Sequence, residues 1–192
     1  ELIFDRASMV VRNASGGFVG QPAVRVHKVD ARIADLEHSV VEADAQVRGP
    51  LQGMLGLVKG SQIAQLTQGA LDRATASGAA DLQFALKLPL STMAQSTVRG
   101  SVTLAGNDVR FVPEAPLVSA ARGVVQFSDT GFSLVGVQGR ALGGELRLEG
   151  GMAAPTTAGA HESPVRVRAR GTATAQGLRE ATQLGVVAQL AR

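Results

Sequence analysis

Between Arg99 and Gly151 apolar and polar residues take turns along the chain, and Gly, Asn or Asp falls where the chain has to reverse. Val102 and Leu104 share one parity, Val125 and Phe127 the next, and Leu146 and Leu148 a third, with Glu145, Arg147 and Glu149 interleaved. A period of two puts alternate side chains on one side of an extended strand, so each block predicts a half-buried strand. Asp129-Thr130-Gly131 and Gly143-Gly144 are the predicted hairpin turns. The result is an antiparallel meander with one apolar face.

The same reading extends in both directions. Residues 1–12 predict a strand and Asn13 to Gly20 a Gly-rich turn. Ala23 to Ala34 alternate, but the parity changes at His27-Lys28, as a β-bulge would produce. After a turn at Asp35 to Ser39, Val41, Ala43, Ala45 and Val47 point one way, while Glu42, Asp44, Gln46 and Arg48 point the other. From Pro50 the period lengthens: Leu51, Met54, Leu55 and Val58 form a helical stripe with Gly60 as a stop. Ser61 is placed to cap a second short helix carrying Ile63, Leu66 and Ala70. Leu82, Phe84, Leu86 and Leu88 line one face of a strand, and Val98 continues that face in the next. Met152 to Pro164 is polar and without period, which reads as a loop. Val165, Val167 and Ala169 alternate with Arg166, Arg168 and Arg170, and from Gln176 Leu178, Ala181, Leu184 and Ala188 are helical in spacing.

These elements predict a mainly β (α+β) fold: an antiparallel meander with two or three short helices packed on it. It is one β-rich segment, with strands over 1–48, a helical insertion over 50–72, the meander over 81–171 and a terminal helix over 177–190. The triplet Val/Ala-Arg-Gly recurs at Arg48-Gly49, Arg99-Gly100, Arg122-Gly123 and Arg170-Gly171, each time at an expected strand end.

Composition adds restrictions. The 192 residues include no Cys, so disulfides and thiolate metal sites are excluded. Gly is frequent, at 23, which suits turns and close backbone contacts. Net charge is only +3, and the pI of 10.2 reflects sixteen Arg against three Lys. The Arg residues are spread along the sequence, which argues against a dedicated nucleic-acid surface. No apolar run approaches the length of a membrane span. The chain starts at Glu1 and ends within a helical pattern, so we expect a piece cut from a longer protein.

Candidate chemistry is sparse. No two glycines lie two residues apart, which excludes a Gly-x-Gly-x-x-Gly dinucleotide loop. Gly131-Phe132-Ser133-Leu134-Val135 imitates a nucleophile elbow, but Val135 stands where the second Gly is required. His161-Glu162 lacks the second His of a zinc helix. His27 and His38 share one hairpin, and two His without a third ligand make a poor zinc site. Glu42 and Asp44 sit on the polar side of a strand, where a solvated surface is the ordinary explanation. Arg166, Arg168 and Arg170 share one face and are candidates for contact with an anionic group, against a solvated outer face. No enzyme, metal or cofactor is expected. The apolar faces leave two readings open: a conventional core closed by the helices, or a face kept free for something greasy.

One stretch carries a resemblance. Gly100-Ser-Val-Thr-Leu-Ala-Gly-Asn-Asp-Val-Arg, Pro116-Leu117, Ala121-Arg-Gly-Val-Val-Gln-Phe-Ser, Gly131-Phe132 and Ala141-Leu-Gly-Gly-Glu-Leu-Arg-Leu-Glu-Gly-Gly closely resemble the central region of YhdP-type proteins. These belong to the AsmA-like group of Gram-negative envelope proteins. Gly49-Pro-Leu-Gln-Gly-Met-Leu, Leu86-Lys-Leu-Pro-Leu and Gly171-Thr-Ala-Thr-Ala-Gln-Gly-Leu match the same region, so the resemblance runs roughly from residue 40 onward. It implies a long periplasmic β-groove anchored in the inner membrane by a helix, which passes phospholipid between the two membranes. On that implication Leu82, Phe84, Leu86, Val102 and Leu104, with Val125, Phe127, Leu146 and Leu148, are the side chains expected to meet phospholipid acyl chains. Neighbouring segments of the same long chain would be the other partners. The rival expectation is a closed structural module, sealed by 50–72 and 177–190, that holds no ligand.

Overall fold

The computed structural model describes residues 1–5, 7–59, 71–92, 95–152 and 165–181. Their strands are β1 Leu2–Asp5, β2 Ser8–Phe18, β3 Gln21–Ile33, β4 Val40–Pro50, β5 Thr75–Ala76, β6 Ala79–Pro89, β7 Thr97–Arg110, β8 Val118–Ser128, β9 Gly131–Ala141, β10 Gly144–Met152 and β11 Val165–Gly171. All pair antiparallel in one eleven-stranded sheet. Ten strands follow each other in chain order from β1 to β11, and two-residue β5 pairs with β7 off that path. β1 and β11 end the described sheet and do not pair with each other, so it does not close. The mainly β antiparallel meander is as the alternation predicts.

Two helices lie among the described residues, α1 Leu51–Lys59 and α2 Ala175–Glu180. α1 follows Pro50 directly, and its Leu51 N–H donates to Gly78 O at 2.9 Å. It packs on β3, β4 and β5, burying Leu51 and Met54 beside Val24 and Val47. Thr174 caps α2 by accepting from Gly177 N–H at 2.9 Å, which satisfies one free donor of its first turn. The second helix expected from Ser61 and the loop expected over 152–164 fall almost wholly outside the described residues, as does the helical pattern beyond Ala181.

Register explains why one face is apolar. Ala14, Val29, Ala45, Phe84, Gly100, Phe127, Phe132 and Met152 are successive cross-strand partners from β2 to β10. A second row two residues away joins Val47, Leu82, Val102, Val125 and Leu134. The parity change at His27 is a bulge: Val26 faces Val47, yet Lys28 already faces Gln46, so the extra residue restores apolar phase for Val29.

Four local expectations differ. Residues 1–12 are two strands, since Asp5 pairs with Ser8 in a tight hairpin. The glycine-rich tract is not a turn but part of β2, and the reversal comes at Val19-Gly20. Cross-strand partners on β3 and the Asn13 N–H bond to Asp30 Oδ1 (2.7 Å) occupy its backbone groups, so the weak strand preference of glycine is overridden. The β9–β10 reversal is at Leu142-Gly143, both at positive φ, and Gly144 already opens β10. Arg122-Gly123 lies inside β8 rather than at its end. What the Arg-Gly pairs share is alternation, with Arg on the polar face and Gly on the apolar one. At Gly100 the reason is close approach: a Cβ would stand 2.6 Å from Phe127 Cζ and 2.9 Å from Phe84 Cβ.

Candidate functional site

The nine apolar candidates share one face. Leu82, Val102 and Val125 are cross-strand partners, Phe84 and Phe127 flank Gly100, and Leu86 faces Val98. Leu104 faces Ala80, Leu148 faces Val137 and Leu146 faces Gly139. Their burial is graded. Leu104 and Leu148 belong to a buried cluster with Val24, Val47, Leu51 and Met54, at the end of the face where α1 sits. Leu82, Phe84, Leu86, Val102, Val125 and Phe127 are only half-buried. Towards β1 the same face ends on Leu2 and Phe4, and Phe4 is 66% exposed.

The buried end is tied together by a side chain that periodicity did not single out. Asn107 is 1% exposed and lies inside β7. Its Oδ1 accepts from Ala105 N–H at 3.0 Å, and its Nδ2 donates to Ser77 O and Ala79 O at 2.9 and 3.0 Å. It thereby clamps the bulge at Gly106 to the β5–β6 connection that also receives the first N–H of α1. A signal existed, since an Asn beside Gly in mid-strand breaks alternation, but it reads equally as a turn.

The opposite face is polar and carries a hollow of about 570 Å³, floored by Gln46, Gln83, Ser101 and Gln126 and flanked by Lys28 and Arg99. Ion pairs neutralise much of this half: Lys28–Asp30 at 3.0 Å, Arg32–Glu42 at 2.6 Å and Arg48–Asp81 at 3.6 Å. Glu42 thus serves in a surface pair, and Asp44 sits opposite Asp30. Ser133 faces Gln126 and Gly151 in the same polar row. Arg166, Arg168 and Arg170 are all exposed and lie on this polar face, beside Gly151, Glu149 and Arg147 respectively. They do not share a face with the apolar candidates.

His27 and His38 are not brought together. His27 is the exposed bulge of β3, and His38 lies beyond the strand end in the Asp35–Ser39 turn, about 20 Å of extended chain away. His161-Glu162 lies outside the described residues. His38 instead joins Asp35 and Glu37, whose ligand atoms lie within 4.8 Å of one another. These groups stabilise the turn: Asp35 Oδ1 accepts from Glu37 N–H and Oδ2 lies by His38 Nδ1, each at 2.9 Å. The His38 bond, then the Glu37 N–H, hold the Asp35 carboxyl below its ordinary value. A depressed carboxyl stabilises the fold above its unfolded pKa, and the contribution fades as pH falls through the folded value. NMR titration of Asp35 is expected to give a midpoint below that of an unfolded peptide. A midpoint at or above the peptide value would mean that the turn is not held this way.

Among the described residues no helix is long and apolar enough to cross a membrane. A family model described as YhdP protein matches residues 1–191, so the likeness takes in the first hairpins as well as the later meander. Comparisons with curated proteins and with solved structures find no match.

Proposed function

The chain belongs to the YhdP family, and from that premise we propose that it is a non-enzymatic segment of an AsmA-like envelope protein whose apolar sheet face holds phospholipid acyl chains. The observation that carries this reading is the graded burial of that face. Rows of apolar residues cross the strands, yet Leu82, Phe84, Val102, Val125 and Phe127 at their centre are only partly buried. An apolar face left partly open in this way suits a binding face. An acyl chain asks for non-directional apolar burial, worth about 25 cal/mol per Å², and for no catalytic group. Family membership supports an envelope setting, with this sheet in the periplasm as one rung of a conduit that passes lipid between membranes. Bending of the sheet around the lipid tails would make the face a groove.

Native mass spectrometry of the purified chain is expected to reveal bound phospholipid, and Val102→Asp with Phe127→Asp to strip it while leaving the β circular-dichroism signature. Ser133→Ala and His27→Ala are expected to leave the bound lipid unchanged. A chain that carries no lipid and binds no hydrophobic dye would instead be a sealed structural module. Half-burial of the central row favours the open alternative.

A further inference from the structure

The arginines that look scattered along the sequence are gathered by the meander. Six of them, Arg122, Arg140, Arg147, Arg166, Arg168 and Arg170, lie on the polar face of β8 to β11. Among the described residues two carboxylates share that part of the face, Glu145 opposite Arg140 and Glu149 opposite Arg168. Among the described residues none of the six arginines enters an ion pair, whereas on the other half of the face Lys28, Arg32, Arg48 and Lys87 do, leaving Arg25 and Arg99 without one. Arg147 stands directly opposite Arg170, an arrangement that repels unless an anion lies between. Arg25 opposes Arg48 in the same way, but Asp81 takes up Arg48. The β10–β11 pair has no such relief.

We propose that this arginine half of the polar face docks on the surface of a bilayer containing anionic phospholipid. Guanidinium groups suit phosphate oxygens, which they bind through two parallel N–H bonds. The second feature pointing to a lipid surface is apolar. Val124 and Val135 are cross-strand partners on this face, one row from Arg122, and Val135 is 47% exposed. A basic face that also exposes apolar side chains has the make-up of an element lying at the headgroup level. An acidic polypeptide would meet the arginines and leave Val135 unused. The proposal is independent of the acyl-chain reading, because it concerns the opposite face.

The test is co-sedimentation of the 192-residue chain with vesicles of phosphatidylcholine alone and with about one-quarter phosphatidylglycerol. Binding is expected only to the anionic vesicles and is expected to weaken as salt rises. Arg147→Gln with Arg170→Gln is expected to weaken it about thirtyfold. The charge-keeping Arg147→Lys/Arg170→Lys variant retains most of it, and Arg25→Gln/Arg48→Gln leaves it unchanged. No binding of the unaltered chain to anionic vesicles overturns the proposal, whatever the variants do. So does an equal loss in the Arg25/Arg48 control, or tighter retention on heparin or polyglutamate than on the vesicles. Bound lipid seen by native mass spectrometry reports the other face, so the two readings fail separately.

Discussion

Asn107→Ala is expected to destabilise the fold by about 3–4 kcal/mol. The side chain is 1% exposed and makes three hydrogen bonds, one as acceptor and two as donor. Truncation removes the buried amide from the Ala105 N–H and the Ser77 and Ala79 carbonyls, which lie in part-buried positions, and each lost bond costs about 1 kcal/mol or more. The loss also spreads. Ser77 N–H donates to Asp108 O, and Gly78 O accepts from Leu51 N–H, so the same connection seats the first turn of α1. A loosened connection therefore releases the helix that covers the buried end of the apolar face. Asn107→Asp keeps the acceptor for Ala105 but turns a negative oxygen towards two carbonyls, so its effect is expected to be at least as large. Urea unfolding measures both. A loss below about 1 kcal/mol for Asn107→Ala would show that water or backbone rearrangement replaces the amide and that no clamp exists.

Asn107 also shows where sequence reading stops. Side-chain alternation is a local property, so strands such as the one holding Leu82, Phe84 and Leu86 are legible residue by residue. The bulge at His27 is legible for the same reason, since an extra residue shifts the parity of everything after it. Pairing is not local. That Gly100 lies between Phe84 and Phe127, or that Arg147 meets Arg170, follows from register, which only the assembled sheet reveals. The glycine-rich stretch around Gly16 was misleading because glycine marks a turn by intrinsic preference, yet here β3 supplies partners that keep it extended. Asn107 carries the same ambiguity: Asn beside Gly is turn chemistry in an isolated peptide. Its role appears only when the β5–β6 connection is brought against it. Likewise the arginines are spread along the sequence, and their grouping emerges only when β8 to β11 stand side by side. Site chemistry was thus least legible where it depends on neighbours across the sheet.

Leu148→Asp is expected to destabilise the fold by about 4 kcal/mol or more. Leu148 is 8% exposed, faces Val137 on one side and Ala169 on the other, and belongs to the buried apolar cluster. A carboxylate there meets Val137 and Ala169, while Arg147 next to it points to the other side of the sheet along with Arg170. The introduced group escapes by staying protonated, so its pKa in the fold is raised. The sign of the pH dependence follows: the deficit is full above the folded pKa and shrinks as pH falls below it. Leu148→Ala supplies the reference, with an expected loss of about 3 kcal/mol from lost burial and the remaining cavity. Unlike the Asp variant, it should show no added pH dependence. Arg147→Asp, one residue away on the wet face, is expected to stay within about 0.5 kcal/mol of the unaltered chain. If Leu148→Asp behaved like Arg147→Asp, the two faces would be assigned the wrong way round, and the proposed acyl-chain site would have to be sought among the charged rows instead.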